Sequence, residues 1–399
     1  MTGAGWVLSG ARVALGPTES EELDLAVEGG RIAKLASAAT PSRGGRLDVA
    51  GCLILPGLIN AHDHLEYSLF PRLGRGPYPD AAAWARDIYR PAESPIREQR
   101  CVPAAARLRW GAVKSLLGGA TTVAHHDPYR RTFTRDFPVR VPRIGWAHSF
   151  DFAESVGAAY RRTPRRRPFV IHFGEASTPG KNHRLERLER EGALGSRTVL
   201  VHGVALDGAD LALAGRRCAG LVWCPTSNEF ILGASLAHDA FSSGVRIALG
   251  TDSSLSGAGT LIDEIQAAAR AGFSEERLYA AVTRDAATLL RLHRGAGTIE
   301  EGGAADLVVV ADRGVIPARR LAGLREEEID LVVVAGRIRL VSPRLHRRLP
   351  GSLRRRLHAL EVDGRTVWLD AHLPRIYREA ARVLGPDLRL AGRRVRVCP

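Results

Sequence analysis

The stretch from Leu53 to Leu65 reads LILPGLINAHDHL: an apolar run, a Pro-Gly turn, then His62 and His64. Residues two apart on a strand share a side, so both imidazoles face one place. Neutral imidazole suits Zn²⁺, and two of them make half of a metal site. With 13 His in 399 residues, one His-x-His pair is a weak signal by itself. Its weight comes from what else the chain delivers. PFVIHFGEAS carries His172 and Glu175, RTVLVHGVAL carries His202, GLVWCPTSNEF carries Asn228, and VRIALGTDSS carries Asp252. TTVAHHDP closes on His125, His126 and Asp127. Each is an apolar run that stops at residues able to bind a metal or move a proton.

The elements that must position these residues alternate between strand and helix. Over residues 55–304 that alternation predicts a (β/α)₈ TIM-like barrel, an α/β fold whose active site lies at the C-terminal ends of its strands. Residues 1–54 read as short strands, with a hairpin signal at Gly29-Gly30. From residue 305 the β pattern returns in ADLVVVA and IDLVVVAGRIRLV, followed by a helix PRIYREAARVLG and a last strand RRVRVCP. The expected organisation is therefore a barrel at 55–304 and a small β-sandwich built from both chain ends. Residues 1–54 would open that sandwich, and residues 305–399 would complete it and add a C-terminal tail. Helices are expected in CVPAAARLRWGAVKSLLGG, KNHRLERLEREGAL, SLAHDAFSSG, LIDEIQAAARAG and SEERLYAAVTRDAATLLRL, the last with Ser274 as N-cap. Residues 141–150 read as a strand, and Asn228 as the end of another. A polar loop at 71–98 carries Trp84, which with Glu66, His125 and Asn228 is a candidate substrate contact. Residues 127–171 are a short span for two further βα units.

Composition bounds the class. A 45% hydrophobic and 25% charged chain is that of a globular protein, and no apolar run reaches membrane-span length. The start of the chain lacks the pattern of a secretory signal. Five scattered Cys with no CxxC fit reduced thiols, so a cytoplasmic location is expected. The net charge is +14, and Lys34, Lys114 and Lys181 are the only lysines, so the excess is arginine. RRTPRRR at 161–167 and RRR at 354–356 would be the patches of a nucleic-acid binder. No nucleic-acid motif accompanies them, and they read instead as solvated decoration, with no nucleic-acid or membrane partner expected.

Taken together, the motifs resemble the amidohydrolase superfamily, in particular its mononuclear-metal branch of cytosine deaminase-like, guanine deaminase-like and chlorohydrolase-like enzymes. VEGGRIAKLA with LDVAGCLILPGLINAHDHL resembles the family's entry into its barrel. WCPTSNEFILG, GVRIALGTDS and LIDEI resemble its seventh and eighth strands, and GAGTIEEGGAADLVVV its return to the sandwich. The resemblance implies His62, His64, His172 and Asp252 as metal ligands, Glu175 as proton shuttle, and His202 near the substrate carbonyl or leaving group, with Asp252 also accepting the water's proton. Binuclear relatives bridge two metals with a carboxylated Lys on the fourth strand. No Lys lies between Lys114 and Lys181, which favours one divalent metal per chain, Zn²⁺ ahead of Fe²⁺. Such a metal lowers the pKa of its water to about 7, giving hydroxide at neutral pH. The implied function is hydrolysis of a non-peptide C–N bond in a small molecule, foremost deamination of a small heterocycle. The alternatives are a cyclic-amide or amide hydrolase resembling imidazolonepropionase and, from another class, an Arg-rich nucleic-acid binder on a barrel scaffold. A homo-oligomer is compatible with the sequence.

Overall fold

The computed structural model describes residues 5–39, 45–178 and 184–398. The chain opens with β1 (Trp6–Ala14), β2 (Ser20–Glu28), β3 (Arg31–Ala36), β4 (Arg46–Asp48) and β5 (Cys52–Pro56). The β2–β3 turn is Gly29-Gly30, with φ of 59° and 83°, a conformation that favours glycine. Seven strands follow: β6 (Leu58–Asp63), β7 (Ala120–His125), β8 (Gly145–Ala147), β9 (Phe169–Phe173), β10 (Thr198–His202), β11 (Gly220–Trp223) and β12 (Ile247–Leu249), with helical segments between successive strands except between β7 and β8. The last third supplies β13 (Leu307–Ala311), β14 (Ile329–Val334), β15 (Arg337–Val341), β16 (His358–Val362), β17 (Arg365–Leu369), β18 (Arg389–Leu390) and β19 (Arg393–Val397).

Strands from both chain ends share one twelve-stranded sheet. Its seam is the antiparallel pairing of β5 with β13, from Pro56 opposite Leu307 to Cys52 opposite Ala311. Period-2 alternation explains why these strands are apolar throughout. Leu53, Leu55, Val308 and Val310 pack into one core, while Cys52, Ile54, Leu307 and Val309 pack into another on the opposite face.

The site-bearing strands form a parallel sheet in the order β12-β11-β10-β9-β8, and a parallel pair β6-β7. A bridge between Asp63 and Asp252 brings β6 alongside β12. Ile59, Ala61, Ala124, Val170, Val199, Val201, Val222 and Ala248 make a buried cluster of their own. On β9 the same face continues from Val170 to His172, and beyond β12 from Ala248 to Asp252, so the polar ends cap an apolar interior. The short 127–171 span keeps one reduced βα unit, β8 with the helix Val156–Arg162. Before it, Arg140 makes a one-residue bridge to Thr122 where a further strand would lie.

Several elements differ from expectation. Asn228 lies in a helix, Pro225–Leu232, because Pro225 has its φ preset for a first helical position and opens it directly after β11. SLAHDAFSSG forms only a short 3₁₀ turn, His238–Phe241. The expected helix from 274 is two, Glu275–Ala281 and Arg284–Leu289, since Thr283 leaves helical angles (φ −131°, ψ −105°) between them. The Ser274 hydroxyl does accept from the Arg277 N–H, at 3.4 Å. The 141–150 strand shrinks to β8. The helix expected over 181–194 is Leu185–Arg190, and residues 181–183 lie outside the described residues. The β16–β17 hairpin was not anticipated, although its Asp363-Gly364 turn is a strong hairpin signal. Arg165 and Arg166 are exposed. No helix among the described residues is long and apolar enough to cross a membrane.

Candidate metal centre and its cavity

His62 and His64 arrive at the end of β6, His172 on β9, His202 at the end of β10, and Asp252 three residues after β12. His202 and Asp252 both take left-handed backbone conformations, with φ of 76° and 52°. Non-glycine residues rarely adopt that conformation, and it recurs at functional sites where the surroundings enforce it. Gly250 is required by proximity: a Cβ there would sit 2.7 Å from the His62 Cβ. Gly174 turns with φ +68° directly after β9, which re-aims Glu175 into the cavity rather than to the far face.

The donor atoms converge. His62 Nε2 lies 3.1 Å from His172 Nε2 and 3.4 Å from Asp252 Oδ1, and His64 Nε2 lies 3.6 Å from the same oxygen. Two ligand atoms about 2.1 Å from one tetrahedral ion stand about 3.4 Å apart. These contacts link three imidazole nitrogens and one carboxylate oxygen, all buried, donor types that suit a Zn²⁺- or Fe²⁺-type cation. Two overlapping four-residue groups have the necessary proximity: His62, His64, His126 and His172, and His62, His172, His202 and Asp252.

Each ligand candidate but His172 is held from behind. Asp127 Oδ2 lies 2.8 Å from His64 Nδ1, and His126 Nδ1 lies 3.2 Å from His62 Nδ1. Ser227 and Ser256 donate to Asp252 Oδ2 at 2.6 and 2.9 Å, which leaves Oδ1 to face the imidazoles. Asn228 Oδ1 lies 2.8 Å from His202 Nδ1. Beneath the pair of histidines, Asp63 receives the Lys114 ammonium at 2.9 Å and hydrogen bonds from Asn60 and Thr251, all buried. Lys114 is thus occupied as the partner of a buried carboxylate.

Burial drives the proton affinities apart. It lowers His62 to about 3 and takes His172 well below the ordinary imidazole range. Burial also lowers the affinity of His64, but the adjacent Asp127 outweighs it and the imidazole is raised to about 9. Burial would raise Asp252, yet His62, His202 and His64 hold it well below the carboxylate range. Glu175 goes the other way: burial and then the Asp252 charge push it well above its usual value. Its Oε1 stands 3.5 Å from His202 Nε2.

Above this floor opens a cavity of about 870 Å³. His64, His148, His172, Glu175 and Asp252 line its base, and Glu66, Trp84, Tyr89, Phe150 and Phe152 line its walls. Of the residues expected to touch substrate, Trp84 and Glu66 reach this cavity. The other two face elsewhere: His125 Nδ1 accepts the Leu65 N–H at 3.3 Å, and Asn228 holds His202. Sequence reasoning missed His148, one residue past β8, and the supporting Ser227 and Ser256. His148 was legible as a His at a strand end; the two serines had no local signal.

Residues 171–339 match the amidohydrolase family model. The chain is 27% identical to the 5-methylthioadenosine/S-adenosylhomocysteine deaminase of Halobacterium salinarum, over 68% of this chain and 76% of that one. The enzyme of the same name from Syntrophobacter fumaroxidans is 26% identical, over 86% and 89%. Among solved structures, a zinc-bound adenosine deaminase from Xanthomonas campestris superposes with a TM-score of 0.68 at 19% identity, covering 87% of this chain and 94% of that one. The zinc complex of an atrazine chlorohydrolase from Arthrobacter aurescens gives 0.66 at 20% identity, covering 83% and 94%. The chain shares a TIM-barrel-type α/β fold with these solved structures.

Proposed function

We propose that the protein is a metal-dependent aminohydrolase that deaminates a small amino-substituted heterocycle, with one Zn²⁺ per chain held by His62, His64, His172 and Asp252. The observation that carries this reading is Glu175, a carboxyl beside His202 and facing the cavity, whose proton affinity burial raises well above the usual carboxylate value. A neutral carboxylic acid can donate a proton to a ring or leaving nitrogen, which a carboxylate cannot. When bound, the metal supplies Lewis acidity and lowers the pKa of water to about 7. The chain supplies the rest. Asp252 Oδ1 takes a proton at the floor, Glu175 Oε1 gives one to the substrate nitrogen, and His202 Nε2 faces the polarised substrate. Relatives named as adenosine-type nucleoside deaminases make aminopurine nucleosides the first substrate class to test.

The proposal extends to architecture and place. The two parallel sheets are taken as staves of one (β/α)₈ barrel at 55–304, with 1–54 and 305–399 as a β-sandwich. The supports are the Asp63–Asp252 bridge and the β5–β13 seam. A cytoplasmic location is supported by five cysteines, all free thiols.

The test is Glu175→Gln, which keeps shape but removes the proton. Metal content stays at wild-type level while kcat for ammonia release falls by about 10²–10⁴. An active variant would reassign the proton transfer and undo the deaminase reading. A wild-type product that carries a new carboxylate without ammonia would select the amide-hydrolase alternative.

A further inference from the structure

The His125-His126-Asp127 turn after β7 contributes no atom to the four-ligand set, yet two of its side chains lie against two of those ligands. His126 is fully buried, with Nε2 3.0 Å from the Ala147 carbonyl oxygen and Nδ1 3.2 Å from His62 Nδ1. A carbonyl oxygen only accepts, so His126 Nε2 must carry its proton. The rings of His62, His64, His148 and His172 surround it, and among the described residues no carboxylate lies within hydrogen-bond reach of it. As a neutral imidazole it then has a bare Nδ1, which accepts from His62 Nδ1–H. His62 is left with its Nε2 lone pair free, on the atom 3.1 Å from His172 Nε2 and 3.4 Å from Asp252 Oδ1. The opposite tautomer of His62 would turn a lone pair of His126 onto the Ala147 oxygen at 3.0 Å.

We propose that His126 is a positioning residue: it relays the Ala147 carbonyl through its own ring to fix His62 as the Nδ1–H tautomer, presenting a bare Nε2 to the metal. Asp127 holds His64 Nδ1–H in the same sense, by direct acceptance at 2.8 Å. The turn is thus a two-pronged tautomer clamp built from consecutive residues. The inference rests on the metal-site reading above and adds to it a set of residues outside the ligands. Such outer partners orient ligands and raise their basicity, and losing one lowers metal affinity by about 10- to 100-fold.

The experiment compares Zn²⁺ affinity, by competition with a chromophoric chelator, in wild type and in His126→Asn, His126→Gln and His126→Leu. The Asn oxygen can replace Nδ1 as acceptor from His62. Gln is nearer to His in volume, but reaches towards Ala147 and leaves His62 Nδ1–H without its acceptor. The expected order is wild type, then Asn within about threefold, then Gln and Leu weaker by about 10- to 100-fold. If Leu fails to fold, the Asn–Gln pair decides. A role in packing alone would favour Gln over Asn, and that order, or four equal affinities, overturns the proposal. A second readout is the imidazole ¹⁵N spectrum of the zinc-loaded wild type, where His62 should carry its proton on Nδ1; a proton on Nε2 overturns the clamp while leaving the metal site standing. A wild type that binds no zinc defeats the metal-site reading and the clamp with it.

Discussion

The floor of the cavity and its wall are built on different principles. On the floor most polar side chains have a fixed partner: His64 has Asp127, His62 has His126, Asp252 has two serines, His202 has Asn228, and Asp63 has Lys114. These residues are buried at strand ends and supported from neighbouring strands and helices. The wall is made by the segment 66–100 and the loop after β8, where Tyr89 and Phe152 are 61% and 51% exposed. Its polar contacts run mostly within the segment itself, such as Trp84 to the Leu73 carbonyl, and Glu66 meets Arg107 only at 3.7 Å. Preorganised donors stabilise charge in a transition state because they need not reorganise, whereas a wall that admits and releases ligand has to stay loosely held. On the proposed function, the floor would set the reaction and the wall what enters.

The largest effect belongs to the floor. His172→Ala should lose metal and activity together, with kcat/KM down by at least about 10³-fold, since it removes one of the four proposed ligands and leaves a void where its imidazole closed the site. Metal content and turnover measured on one preparation check this. Full metal occupancy in the variant would mean that His126 or His202, both in groups near the same donors, replaces the lost ligand.

On the wall, Trp84 is the residue to change. Its indole N–H donates to the Leu73 carbonyl at 2.9 Å, and the side chain lines the cavity. Trp84→Ala should raise KM by about tenfold, worth about 1.4 kcal/mol of binding, while kcat stays within about threefold and metal content does not move. Trp84→Phe should recover most of the loss by restoring an aromatic face. A fall in kcat with loss of metal would show instead that the wall braces the floor.

This contrast also explains what could be read in the sequence. Floor residues end apolar strands, so a period-2 pattern that stops at His172 or Asp252 announces them. The turn of Glu175 towards the cavity was foreseeable because three residues after an inward His a regular strand points away, and Gly174 supplies the bend. His126 and Ser227 meet partners distant in sequence, so no local spacing marks them as supports, and Ser256, four residues from Asp252, is one of three serines in its loop with nothing to single it out. Asn228 was placed on the wrong kind of element because Pro225 opens a helix where the apolar run suggested a continuing strand. The span 127–171 could be recognised as short, but not that it holds one reduced unit and a one-residue bridge, since those depend on pairing with β7 and β9.

The smallest effect on turnover should come from beneath the floor, at Glu264. This fully buried carboxyl on the helix Leu261–Arg270 accepts the Thr226 N–H at 2.9 Å and meets the Thr226 hydroxyl. Burial is the main reason its pKa rises to about 8, from an ordinary 4.5; the two Thr226 contacts oppose that rise, and the Asp263 and Asp252 charges add to it. A raised carboxyl pKa means that the folded state holds the proton more tightly than the unfolded chain. Its contribution to stability is then complete below about pH 4.5 and is lost as pH rises through about 8. Gln reproduces the protonated acid, with an oxygen for the Thr226 N–H and an amide N–H for the hydroxyl, and cannot ionise. Glu264→Gln should therefore leave kcat within about twofold, yet gain stability over wild type as pH rises from 5.5 to 8.5, by a few kcal/mol. Urea unfolding midpoints of the two proteins at both pH values measure the difference. Their other pH-dependent terms are shared, the metal ligands included, and cancel in the comparison. Parallel pH profiles would mean that Glu264 ionises as readily folded as unfolded, and that the ground beneath the floor is wetter than its burial implies.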